Sequence, residues 1–140
     1  MKRVDNIYHN IADIRNIISM YNKKVRVTTK NKRKIENFSD YYTINISNIE
    51  KVLTDKIYTV GKYNIFLISE PKIRVIMSQN IKDKLVNHLV AEHFLIKYFE
   101  KELIDENVAT RKNKGTKYGI DLTKKYLNEI KKKKLLISIF

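Results

Sequence analysis

The strongest constraint on the fold lies in the middle of the chain. Tyr58 to Met77 is rich in Val, Ile, Tyr and Phe, and it contains Gly61 and Pro71, the only proline. Within it, Tyr63-Asn64-Ile65-Phe66-Leu67-Ile68 and Lys72-Ile73-Arg74-Val75-Ile76-Met77 read as two strands, with Ser69-Glu70-Pro71 as the turn between them. Proline fixes its own φ and biases Glu70 away from helix, so the turn has a physical cause. Side chains alternate across a strand, which puts Lys72 and Arg74 on one face and Ile73 and Val75 on the other. One face is expected to pack against the protein while the other presents two cations side by side.

The flanks read mainly as helix. Ile7, Ile11, Ile14, Ile17, Ile18 and Tyr21 recur three and four apart, which predicts a helix over 5–21 with Asp5 as its N-cap. Lys23, Lys24, Arg26, Lys30, Lys32, Arg33 and Lys34 follow with no acid and no apolar period, so 23–34 reads as a loop or ragged strand. It is either a solvated loop or a phosphate-contacting arm. A second helix is predicted from Asp40 to Asp55, with Ile49, Val52 and Leu53 inward. After the hairpin, Ser78 or Asn80 caps a long helix to Phe99, whose broad apolar face implies central burial. His88 and His93 lie on it five apart, not the three or four that would share a zinc ion on one face, so they read as core or hydrogen-bonded histidines. A polar, basic loop spans 105–117, and a last helix covers about 116–134. Leu135 to Phe140 reads as an apolar terminal strand, either a sheet edge within the domain or a torn end.

Charge supplies the functional bias. The 140 residues carry 29 Lys and Arg against 15 Asp and Glu, a net +14. Residues 1–75 contribute +8, residues 76–106 contribute −2, and residues 107–140 contribute +8. Two basic flanks around a nearly neutral middle predict attraction to polyanions, RNA and DNA first among them. With no Cys, disulfide scaffolds, thiolate zinc sites and Cys nucleophiles are excluded, and a cytoplasmic location is expected. No apolar run is long enough to span a membrane, and no membrane partner is expected. The basic groups ahead of the last helix could hold phosphate at its N-terminus, but the glycine pattern of a P-loop is missing. Adjacent carboxylates occur only at Asp105-Glu106, so the sequence offers no aspartate pair for a two-metal centre. The residues alone describe a basic, mostly helical α+β chain with a small antiparallel hairpin, suited to binding nucleic acid.

Two stretches resemble a known family. Tyr63 to Ile76, followed by Lys82-Asp83-Lys84-Leu85-Val86-Asn87-His88, is similar to the fingers hairpin and the Asp-Arg-Val-Val-x-His segment of bacterial reverse transcriptases. These include the retron, group II intron and diversity-generating types. Asn107-Val108-Ala109-Thr110-Arg111-Lys112-Asn113-Lys114-Gly115-Thr116 resembles the family's Ser-Tyr-Ala-x-Arg-x-Gly-Lys-Gly-Thr. The resemblance covers 57–130 and is looser before that. It implies the fingers subdomain of a right-hand RNA-directed DNA polymerase. By position, Lys72 and Arg74 would face the triphosphate of the incoming nucleotide, offsetting its charge and aligning it. Arg111, Lys112, Lys114, Gly115 and Thr116 would lie along the template strand or the nucleotide pocket. Lys23, Lys24, Arg26, Lys32 and Arg33 are the candidate contacts of the earlier basic run.

The implied organisation is a helical extension over 1–56, fingers over 57–134, and an apolar end over 135–140 with the palm absent. Asn113 stands where the family has its first loop glycine, and Lys84 stands where it has an arginine, losing bidentate geometry. The palm carboxylates that would hold Mg²⁺ in a full-length parent do not occur, so this chain alone is expected to need no cofactor and to be inactive. The expectation is a fingers fragment, with a frameshift in the codons of Lys131 to Lys134 as its origin. The alternatives are a stand-alone, non-enzymatic RNA-binding protein and a subunit whose apolar tail docks on a palm-containing polypeptide.

Overall fold

The computed structural model describes residues 7–109 and 111–137. The protein is α+β: mostly helical, with one two-stranded antiparallel sheet. It divides into two compact units, Met1–Lys97 and Tyr98–Phe140. The sequence boundary at 56/57 falls inside the first unit, because the helices on either side of it share one core.

That core begins with two short helices where one was expected. Helix α1 spans Tyr8–Ala12 and α2 spans Ile14–Met20. The break falls at Asp13, whose extended backbone lets its carboxylate accept the Arg15 N–H as the N-cap of α2 at 2.8 Å. Asp5, the expected cap, lies outside the described residues. The stretch expected as a loop or ragged strand, 23–34, is largely helical. A π-helical turn at Tyr21–Val25 runs into α3 at Arg26–Thr28, and α4 occupies Lys32–Asp40. Asn31 caps α4 by accepting the Lys34 N–H. The lysines hide this helix because only Tyr21, Val25 and Phe38 are buried along it, too few to mark a period. Tyr21 explains the geometry: its ring stacks on Phe38 at 4.9 Å, and its hydroxyl shares a hydrogen bond with Ser39.

Helix α5 spans Tyr42–Thr54 and buries Ile46, Ile49 and Leu53; Val52 is only partly covered. Asn80 is the cap of α6, Ile81–Val90, whose Ile81, Leu85, Val86 and Leu89 close the core against α2, α1 and the π-helical turn. Fully burying a side chain of this size contributes about 1.5–3 kcal/mol, so Leu85 and Leu89, both at 0% exposure, anchor the unit. The expected burial of the whole long helix holds only for this first half. Beyond Val90 it continues as a π-helical stretch, Ala91–Ile96, then α7, Lys97–Phe99, with Leu95 and Ile96 exposed.

Strands β1, Asn64–Ile68, and β2, Arg74–Ser78, pair in the register Ile65↔Met77, Phe66↔Ile76 and Leu67↔Val75. The Glu70–Pro71 peptide in the turn is cis.

The second unit combines a loop over 103–115 with α8, Thr116–Ile137. Helix thus continues past Lys134, and the expected terminal strand does not form at 135–137; residues 138–140 lie outside the described residues. Among the described residues, no helix is long and apolar enough to cross a membrane.

Candidate nucleic-acid interface

The hairpin is tied to the first unit at its base by one buried carboxylate. Asp83 is the third residue of α6 and 1% exposed. Its carboxylate accepts the Tyr58 hydroxyl at 2.7 Å and the Gly61 N–H at 3.0 Å. Its own N–H donates to the Asn80 side chain at 2.7 Å. The segment that feeds β1 is therefore pinned to the helix that follows β2. Burial and the Asp83 carboxylate push the Tyr58 hydroxyl well above its ordinary range. Lys82 lies over the Tyr58 ring at 5.7 Å, adding a cation near the pair. Gly61 approaches the pair closely: a Cβ there would stand 2.3 Å from Asn80 Nδ2 and 3.1 Å from Asp83 Oδ2, so a side chain would displace these two groups.

Beyond this anchor, among the described residues, the main packing partner of each strand is the other strand. The expectation that one face packs is wrong. Ile65, Leu67, Val75 and Met77 share one face by register and each is at least 60% exposed, and Ile73 just before β2 is 79% exposed. Arg74 lies on the opposite face with Ile68 as its cross-strand partner. Lys72 falls in the bend before β2, not within the strand, and both cations are exposed. Within β2 alternation separates Arg74 from Val75 and Met77 as expected, but it does not place Lys72 and says nothing of what lies opposite either face.

The earlier basic run sits on helices with its charges outward. Lys23, Arg26, Lys32 and Arg33 are exposed. Lys24 is engaged, with an ion pair to Glu92 at 2.8 Å.

The second unit organises the other basic loop internally. Arg111 donates to the carbonyls of Ile104 at 2.9 Å, Glu100 at 3.2 Å and Asn107 at 3.4 Å, closing the loop on itself. Its Nε is buried without a partner. Lys114 pairs with Asp105 at 2.8 Å and lies over the Tyr118 ring at 4.9 Å. The hydrogen bond from Lys114 holds the Asp105 carboxyl below its ordinary range. Tyr126 on α8 donates to Glu106, which lowers the Glu106 carboxyl and pushes the Tyr126 hydroxyl up to about 12. Arg111 and Lys114 therefore shape the loop, whereas Lys112 and Thr116 remain exposed.

Asn113 adopts φ 61°, a left-handed conformation that Asn tolerates better than most residues, so it takes the backbone role a glycine would fill. Gly115 has φ 157°, where a side chain is strained even though a Cβ would meet nothing within 4 Å.

Sequence reasoning missed Asp83, Tyr58 and Gly61 as a unit. The signal was present: Asn80-Ile81-Lys82-Asp83 has the spacing of a cap and its third-position acid. Among the described residues, no group of three His, Asp or Glu is placed to hold a metal ion. No family model matches the chain, and no curated protein matches it.

Proposed function

We propose that this chain is the fingers region of a bacterial RNA-directed DNA polymerase, binding template RNA or DNA and the phosphates of the incoming nucleotide. The observation that carries the reading is the exposed hairpin, anchored at its base by Asp83 and carrying Lys72 and Arg74 at its turn end. Two cations on an exposed element, with no acid paired to either among the described residues, suit a polyphosphate whose charge they offset and whose groups they align. The outward Lys23, Arg26, Lys32 and Arg33 supply backbone contacts of a template strand in the first unit, and the exposed Lys112 offers a contact in the second. The magnesium chemistry of such an enzyme belongs to its palm, in the same or a separate polypeptide; the residues of this chain bind and align.

A second reading is a non-enzymatic RNA-binding protein. It is favoured by Arg111 and Lys114, which are occupied within their own loop. Nucleotide binding separates the two. A fluorescent deoxynucleoside triphosphate is titrated into the full chain carrying a primed RNA template. Lys72→Ala with Arg74→Ala is expected to weaken nucleotide binding by about tenfold or more, the effect of losing charged hydrogen bonds, while template affinity changes little. Equal loss of both would refute the assigned role. RNA binding with no nucleotide binding would leave only the second reading.

A further inference from the structure

A further basic cluster joins α6 to Lys24 of the earlier basic run, apart from the hairpin. Lys84 and His88 are one turn apart, and Glu92 follows one turn further on, in the π-helical continuation. The π-helical turn Tyr21–Val25 packs against α6. Lys84 Nζ donates to Thr29 Oγ1, just past α3, at 2.8 Å. Lys24 Nζ reaches Glu92 at 2.8 Å. The only carboxylate in the cluster is thus already paired, and among the described residues no ion pair forms at Lys84.

The electrostatics record the imbalance. Burial lowers the Lys84 ammonium below its ordinary range. Burial, then the charges of Lys84 and Lys24, lower His88, and Glu92 alone acts the other way. A half-buried ammonium resting on a neutral hydroxyl is under-compensated, and an arriving anion relieves it. Lys24 and Glu92 each lie on a helical segment of π type, and such segments are frequent at functional sites.

We propose that Lys84, Thr29, His88 and Lys24 form a binding site for a phosphate group of a nucleic-acid backbone. The proposal rests on the nucleic-acid reading above and adds a contact that the hairpin and basic loops do not supply. Thr29 holds the lysine by one of its three protons, leaving two to donate to phosphate oxygens. Lys24 bridges between Glu92 and the anion. The phosphate charge favours protonation of His88, which faces Lys84, Lys24 and Glu92, and the imidazolium then adds a further donor.

The test uses the full chain and a fluorescein-labelled single-stranded RNA, with anisotropy read across a salt series. Lys84→Met keeps the aliphatic stem and removes the charge. It is expected to weaken binding about three- to tenfold and to reduce the magnitude of the log–log salt slope by about 0.7, one phosphate contact on a single strand. Lys51→Met, on an exposed lysine of α5, is expected to change little. Unchanged affinity and slope in Lys84→Met would overturn this site and leave the nucleic-acid reading standing; a wild-type chain that does not bind would remove both.

A second measurement needs no variant at the site. The chain has 3 histidines, so the His88 ring proton is assigned by His9→Gln and His93→Gln and titrated by NMR, alone, with the RNA, and with millimolar inorganic phosphate. RNA is expected to raise the His88 pKa. A rise with phosphate but none with RNA would make free phosphate the ligand and overturn the backbone source. No rise with either would overturn the site.

Discussion

Replacing Asp83 by Ala should uncouple the hairpin from the first unit and cost a measurable fraction of its stability. The carboxylate accepts two hydrogen bonds, from the Tyr58 hydroxyl at 2.7 Å and the Gly61 N–H at 3.0 Å, and it is 1% exposed. Hydrogen bonds to a charged group are worth about 1.5–3 kcal/mol each, and an acid in the first turn of a helix adds about 0.3–1 kcal/mol. Removing the carboxylate also removes its desolvation cost, since among the described residues no cation pairs with it directly, and Tyr58 is exposed enough to recover water. The net loss should be about 3 kcal/mol. With a urea m-value of about 2 kcal/mol/M, the midpoint followed by circular dichroism falls by about 1.5 M. Hydrogen exchange reads the same loss: the Gly61 amide loses protection, and amides in the middle of α5, which exchange through global unfolding, lose no more than the fall in global stability. A Tyr58→Phe, Asp83→Ala cycle should show coupling of about 0.5–3 kcal/mol. A midpoint unchanged in Asp83→Ala, with the Gly61 amide still protected, would refute the claim that this carboxylate anchors the hairpin.

Gly61→Ala should destabilise the same junction by about 1–3 kcal/mol, because the new methyl forces Asn80 to give up its cap or shifts the backbone; a thermal melt reads it. Tyr58 sets a pH limit. Its folded-state pKa is raised, so its contribution is fully present below the ordinary value of 10.0 and is lost as the pH rises above it. Tyr58→Phe should flatten the alkaline decline in urea midpoint. His88 acts at the other end: its folded-state pKa is lowered below 6.5, so the stability it contributes is present above that pH and declines as the pH falls through it. His88→Gln should reduce the acid decline. Arg111→Lys loses the planar fork that reaches three carbonyls and should speed tryptic cleavage within 100–117.

The elements that could be read in the sequence were those with a period or a punctuating residue. The hairpin was legible because Pro71 marks the turn between two short runs rich in Ile, Val and Phe, the second of which starts with Lys72-Ile73-Arg74-Val75 in alternation. The exposure of both its faces was not, since periodicity defines a face without defining a partner. The helix at Lys32–Asp40 escaped because its apolar residues are sparse, although Asn31 is a good N-cap. The break at Asp13 escaped because Ile11, Ile14 and Ile17 keep helical spacing straight across it. At the candidate interface, the cations of 23–33 and the hairpin could be named from sequence. The internal use of Arg111 and Lys114 could not, because it depends on carbonyls that only the folded loop brings together.

The central claim is that this chain binds nucleic acid through several phosphate contacts, and the salt dependence of RNA binding by the full chain tests it most directly. Four contacts on a single strand predict a log–log slope of about −3. A flat line, or no binding at low salt, would contradict the account.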